Sequence, residues 1–119
     1  MKLGNTKTET DLREKMEASY LSVLRDESMS RLRNALKSAH PNFTGGCVLH
    51  WTPDQGEDIF LVLVSESQII SVELDRQNST LPPVVEYISV TEYKRGLKKS
   101  NQIKLATALS VLSEQQVQI

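Results

Sequence analysis

Cys47 and His50 are the only cysteine and histidine that lie close together, and they fall in an alternating stretch typical of a strand. Residues three apart on a regular strand point to opposite faces of the sheet. Without a bulge, the pair therefore cannot share a metal or act as nucleophile and base. A tetrahedral zinc site needs four ligands, whereas one cysteine and two histidines supply three. We interpret Cys47 as a small buried apolar residue and His50 as a sheet-face residue, and expect no metal and no cofactor.

Other catalytic motifs are equally missing from the sequence. Gly45-Gly46 lacks the lysine and the spacing of a phosphate-binding loop, and no serine lies in a nucleophile elbow. Glu57 and Asp58 are adjacent, so on a strand their carboxylates diverge and make poor acid–base partners. We therefore predict that the protein is not an enzyme. The alternative is a small nuclease or transferase that depends on His50.

The charged residues are divided unevenly along the chain, although the net charge is only −1. Residues 54–92 contain eight acids and a single base, Arg76, whereas residues 94–104 contain five bases and no acid. The acidic segment predicts a surface that attracts a basic partner, since complementary charge raises association rate and selectivity. The alternative is that these acids only keep the sheet soluble and its edges unpaired. The candidate partner-binding residues are Trp51, Asp54, Glu57, Asp58, Glu66, Glu73, Asp75 and Tyr87.

The basic run Lys94–Lys104 could indicate a site that binds nucleic acid. A basic patch supplies non-specific attraction to phosphates, but this run lacks the interleaved aromatic side chains that single-strand binders use. Lysines beside a helix also simply keep a connection solvated. We do not expect a nucleic-acid partner.

The elements that must position these residues centre on a predicted hairpin. Ile59–Val64 is a continuous apolar run, typical of a strand covered on both faces, and Ile70–Leu74 alternates like a strand with one wet face. Cys47–Thr52 precedes the hairpin as a further strand. Regular alternation would place Cys47, Leu49 and Trp51 on one face and Val48, His50 and Thr52 on the other. Val84–Val90 follows two prolines, which predicts an edge strand.

Helical periodicity brackets these strands. One apolar stripe runs along Thr10–Leu24, and a second runs along Met29–Ala39, with a predicted break at Asp26–Ser28. After the last strand, Thr91 could cap a short helical turn. A final helix then begins near Ser100. Its predicted apolar seam is Ile103, Ala106, Leu109 and Leu112.

Together these elements predict an α+β fold with two layers: an N-terminal helix or helix pair, a three- to four-stranded antiparallel sheet, and a C-terminal helix. The 119 residues suit a single domain, residues 1–119, with frayed ends at 1–8 and 114–119. The final helix has only a narrow seam, so one sheet face could be left for a partner or a second copy.

Composition also bears on location. A lone cysteine excludes an internal disulfide, no apolar run approaches the ~18 residues of a membrane span, and the polar N-terminus does not match a secretory signal. We therefore predict a cytoplasmic protein with no membrane partner.

The helical N-terminal third (Thr8–Ala39), the acidic sheet (Cys47–Val90) and the C-terminal helix resemble small bacterial immunity proteins of contact-dependent growth-inhibition toxin systems. The resemblance implies tight one-to-one binding to a toxin domain, often a nuclease, in the cytoplasm of the producing cell. It transfers no residue roles. The same order also resembles type III secretion chaperones, which would imply a homodimer that holds an effector segment.

Overall fold

The computed structural model describes residues 3–117, with side chains described for residues 9–115, as four helices, a 3-10 turn and one four-stranded sheet. The chain order is α1 (Leu3–Arg25), the 3-10 turn (Glu27–Met29), α2 (Ser30–Ala39), β1 (Cys47–Asp54), β2 (Glu57–Leu63), β3 (Gln68–Asp75), β4 (Val84–Ser89), α3 (Val90–Lys94) and α4 (Lys99–Val117). The predicted α+β class and the predicted order of helices, strands and a C-terminal helix are confirmed.

The predicted break between the N-terminal helices is confirmed at Asp26. The Asp26 carboxylate accepts a hydrogen bond from the backbone N–H of Ser28 at 3.0 Å, which caps the 3-10 turn and lowers the pKa of Asp26 below its ordinary value. Arg33 of α2 reaches back, and its Nε donates to the carbonyl of Val23 at 2.8 Å. This bond satisfies a carbonyl in the last turn of α1, where no helical N–H is available.

The sheet has the order β1-β2-β3-β4, and every neighbouring pair is antiparallel. Each strand therefore pairs with the strand next to it in the chain. The hairpin predicted from Ile59–Leu74 forms the two central strands, and β4 lies at an edge, as its preceding prolines indicated. β1 forms the other edge.

Two long helices cover one side of the sheet, here called the helix-pair face. Met16 and Tyr20 of α1 pack with Leu105 and Ala108 of α4 over apolar residues of the strands, and these side chains form one continuous core. The strand residues of that core are Cys47, Leu49, Leu63 and Ile69, all at most 1% exposed. This half of the core accounts for the apolar stripe of α1.

The opposite side of the sheet, the α2 face, is also covered. Leu32 and Leu36 of α2 pack against Phe60, Val62 and other β2 and β3 residues in a second core. The expectation that one face remains open for a partner is therefore wrong for the centre of the sheet. On the helix-pair face, Ser71 of the predicted wet side of β3 is only 8% exposed, so that side is also covered at the centre of the sheet.

The helix ends and the α4 seam also differ from prediction. α1 begins at Leu3 and α4 continues to Val117, so both helices extend into segments expected to be irregular. The N-cap of α3 is Ser89 and not Thr91. Among the four residues predicted for the α4 seam, Ile103 is 44% exposed. The buried α4 residues are Leu105, Ala108, Val111 and Leu112. Because apolar residues occur around most of this helix, the packing against α1 and β1 selects the buried side.

Candidate functional site

A tight turn and the strand register bring carboxylates together at one end of the sheet. Gln55 and Gly56 both have positive φ, 36° and 88°, as in the two-residue hairpin turns that match strand twist. The turn places Asp54 directly opposite Glu57, and the next pairing places Glu57 opposite Asp75. Directly opposite residues lie on the same face of an antiparallel pair. Three carboxylates therefore form one row across three strands.

Two more acids lie on the same face in the following rows. Glu73 lies opposite Ile59 on one side and Val84 on the other, and Glu86 lies opposite Ser71. The register assigns all of them to the helix-pair face, beyond the part that α1 and α4 cover. We call this set of five carboxylates the acidic face: Asp54, Glu57, Glu73, Asp75 and Glu86.

Within residues 9–115, four of these five carboxylates have no partner. The exception is Asp75, whose Oδ1 accepts from the backbone N–H groups of Gln77 and Asn78 at 2.8 Å each and so holds the loop after β3. In the same part of the chain, none of the five is in an ion pair, and the other four carboxylates accept no hydrogen bond. The acidic face therefore presents charge that the fold itself does not neutralise.

The remaining acids predicted as partner-binding residues lie elsewhere. Asp58 belongs to the α2 face, where it accepts from Trp51 Nε1 at 3.1 Å and lies 3.8 Å from Arg76 Nε. Glu66 is exposed in the turn between β2 and β3, at the end of the hairpin opposite Glu57. The structure thus brings together Asp54, Glu57, Glu73 and Asp75 of the predicted set and separates Asp58 and Glu66 from them. Glu86, which was not in that set, joins them.

The two predicted aromatic residues also lie on the α2 face. Trp51 is 59% exposed and stacks on Phe60 with ring centroids 6.0 Å apart and planes 5° apart. Tyr87 is 58% exposed, and its hydroxyl donates to the carbonyl of Ala39 at the end of α2 at 2.7 Å. Neither ring belongs to the acidic face.

A β-bulge in β1 overturns the predicted faces of Trp51 and His50. The register between β1 and β2 shifts between Val48 and His50, so Leu49 is the additional residue. His50 consequently lies opposite Leu61 on the helix-pair face, and Trp51 lies opposite Phe60 on the α2 face. The predicted grouping of Trp51 with Cys47 and Leu49 is wrong, because alternation carries no signal for an inserted residue.

The bulge places His50 on the same face as Cys47, which reopens the question of a nucleophile and base. Cys47 is fully buried, its Sγ lies 3.8 Å from the carbonyl of Ala108, and burial raises the pKa of its thiol to about 12. A thiol with that pKa supplies almost no thiolate at neutral pH. Among residues 3–117, no three histidine, cysteine or carboxylate side chains are grouped to hold a metal.

A second charged region, the basic groove, lies where α1, α4 and β1 meet. It encloses about 530 Å³ between Lys15 of α1, Lys104 of α4 and His50 of β1, with Ser100 and Asn101 also at its wall. Leu12, Met16 and Leu49 provide apolar lining. Desolvation and the charge of Lys15 lower the pKa of Lys104, and desolvation and Lys104 lower the pKa of His50. Cationic groups therefore converge here.

The sequence signalled this groove only in part. Of the five basic residues in Lys94–Lys104, only Lys104 lines the groove, while Lys98 and Lys99 are exposed outside it. Lys15 comes from the N-terminal helix, so no local pattern could connect it with Lys104. The crossing of α1 and α4 over the sheet makes that connection.

Comparisons with models of protein families, with curated proteins and with solved structures find no match to this chain. Within residues 3–117, the structure also has no helix with the length and apolar character needed to span a membrane.

Proposed function

We propose that the acidic face binds a basic protein, and that this partner is a toxin domain which the protein neutralises in the bacterial cytoplasm. The observation that supports the proposal is the row of unneutralised carboxylates on one uncovered part of the sheet. The resemblance to immunity proteins supplies the class of partner. A nuclease is the toxin that fits best, since nucleases carry basic clefts for a polyanionic substrate.

Electrostatics explains how such a surface would act. Carboxylates spaced along a sheet can occupy the positions that phosphates take in a basic cleft, and the field they share speeds encounter with a cationic partner. Val84, 54% exposed, and the half-buried Ile59 lie between the acids and can contribute apolar contact at the centre of the interface. The surface thus combines charge for orientation with apolar area for affinity.

The arrangement also favours binding over mere solubility. Like charges directly opposite each other on neighbouring strands destabilise a sheet. Asp54, Glu57 and Asp75 form two such opposite pairs in succession. Solubility needs charge on the exterior, but it does not need three acids in one row, so a partner that neutralises the row gives this arrangement a purpose.

The test uses the protein encoded next to this gene in its host as the candidate toxin. Binding is measured by calorimetry, and growth protection is the second readout. The variant Glu57→Lys/Glu73→Lys/Glu86→Lys reverses three charges of the acidic face. We expect its affinity to fall by more than about 100-fold and protection to be lost, since charge pairs at such interfaces are each worth tenfold or more.

The matched control is Glu27→Lys/Glu66→Lys/Glu92→Lys, which makes the same change in net charge at exposed positions outside the acidic face. Its affinity should stay within about threefold of the original value at moderate ionic strength, where distant exposed charges are screened. Equal losses in both variants, with folding intact by circular dichroism, would contradict a role for the acidic face. A homodimer that binds an unfolded effector segment would favour the secretion chaperone instead.

A further inference from the structure

The basic groove supports a second proposal, which is independent of the acidic face. Lys15, Lys104 and His50 come from three different elements, α1, α4 and β1, and all line one cavity. Within residues 9–115, no carboxylate lies within ion-pair distance of either lysine. Elsewhere on α1 and α4, Glu17 and Glu114 pair with Arg13. In this part of the chain, the two ammonium groups therefore have no ion-pair partner.

This convergence is unfavourable for folding alone. Lys104 is half-buried, so part of its hydration is lost, and the charge of Lys15 adds repulsion. Lys15 is exposed, and a protein that needed only solubility could also direct Lys104 to open solvent. An anion in the groove would replace the lost hydration, and its attraction to both cations would offset the repulsion between them.

We propose that the basic groove binds the phosphate group of a small phosphorylated molecule. Lys15 and Lys104 supply charge, and His50, Ser100 and Asn101 supply hydrogen-bond donors of different reach. A dianionic group that accepts several hydrogen bonds matches this donor set better than chloride or a carboxylate. The volume of about 530 Å³ accommodates more than a phosphate ion, which leaves space for an organic part against Leu12 and Met16.

The experiment titrates the isotope-labelled full chain with inorganic phosphate at constant ionic strength, with sodium chloride as the reference salt. We follow the ring signals of His50 and the amide signals of Ser100 and Asn101. Saturable shifts with a Kd of a few millimolar or tighter are expected for phosphate and not for chloride. Titrations with AMP and with adenosine, which lacks the phosphate, then separate the sources. Tighter binding of AMP than of phosphate identifies an organic phosphate, and equal binding of the two identifies free phosphate.

Two lysine variants make the result specific. Lys104→Gln should weaken phosphate binding by at least about tenfold, since it removes a charged donor from the groove. The matched control Lys98→Gln removes one positive charge from the exposed connection before α4 and should leave the Kd unchanged.

Shifts that do not saturate, or that chloride reproduces, would overturn the proposal. So would an equal weakening in Lys98→Gln, which would indicate attraction to net charge alone. Both lysine variants retain the acidic face. The outcome therefore does not depend on whether the toxin-binding proposal holds.

Discussion

The helix-pair face of the sheet has two halves that differ in what their residues do. In the half under α1 and α4, the strands supply Cys47, Leu63 and Ile69, which are fully buried. In the other half, the sheet supplies Glu57 and Glu73, which are half-buried, and Asp54 and Glu86, which are exposed. The change occurs within single strands, between Leu63 and Glu57 in β2 and between Ile69 and Glu73 in β3. It indicates that the covered half supplies stability, whereas the open half is available for recognition.

Truncation of a leucine side chain in the covered half tests this difference most sharply. Leu63→Ala should lower the free energy of unfolding by about 2–5 kcal/mol, as truncation of fully buried leucines does. Leu61→Ala, two residues closer to the open half and only half-buried, should lower it by less than half as much. Urea unfolding measures both. Equal costs would mean that the boundary between the halves is not where the helices end.

A second prediction concerns the loop that enters the covered half. A Cβ at Gly45 would lie 2.5 Å from Cε1 of Tyr20, and φ is +146° there, so Gly45→Ala should cost about 1–3 kcal/mol or more. Gly96→Ala is the matched control, because φ is +69° but no atom beyond its two chain neighbours lies within 4 Å of the added Cβ. Its cost should be about 1 kcal/mol, from the backbone alone. Thermal unfolding of the two variants would separate steric from backbone effects.

In the open half, the expected effect has the opposite sign. Glu57→Lys replaces two opposite like-charge pairs by two opposite-charge pairs, with Asp54 and Asp75, and should stabilise the chain by about 0.2–1 kcal/mol. The gain should shrink in 1 M salt, where the Debye length is about 3 Å. Glu66→Lys, in the turn at the far end of the hairpin, should show no comparable gain. A loss of stability in Glu57→Lys would remove the argument that the row is kept for binding.

The smallest effect should come from the border between the halves, at His50. Its pKa is lowered in the folded state by desolvation and by Lys104, with Lys15 also facing the groove. The unfolded chain therefore binds more protons than the folded chain as pH falls through 6.5 toward the folded pKa. Stability should decrease in that window. His50→Gln should abolish this decrease, whereas the matched variant His40→Gln should retain it, as measured by urea unfolding between pH 7.5 and 5.

The sequence predicted the parts of this arrangement that depend on local pattern. The turn with Gly56, the hairpin from Ile59 to Leu74 and the helix break at Asp26 each have a local signature of glycine, alternation or capping. These elements hold the acidic face in register. The sequence-based prediction placed Asp58 and Glu66 on the same surface as the other acids, whereas the structure separates them. Position near a hairpin end does not specify which face of the sheet, or which end of the hairpin, a residue occupies.

What the sequence did not predict depends on tertiary structure. An alternating segment such as Cys47–Thr52 gives no sign of the bulge at Leu49. The prediction therefore placed His50 and Trp51 each on the wrong face of the sheet. The buried side of α4 was likewise decided by its contact with α1. The basic groove requires both events, because the bulge brings His50 to the helix-pair face and the helix crossing brings Lys15 to Lys104.

The order of the sheet has a consequence for synthesis on the ribosome. Because each strand pairs with its immediate predecessor, the whole meander can form from short loop closures as the chain emerges. α4 emerges only after the sheet is complete. Until it docks, part of the apolar surface around Cys47 and Leu49 lacks its cover. We therefore expect nascent chains stalled before Lys99 to be the species most exposed to chaperone capture and aggregation.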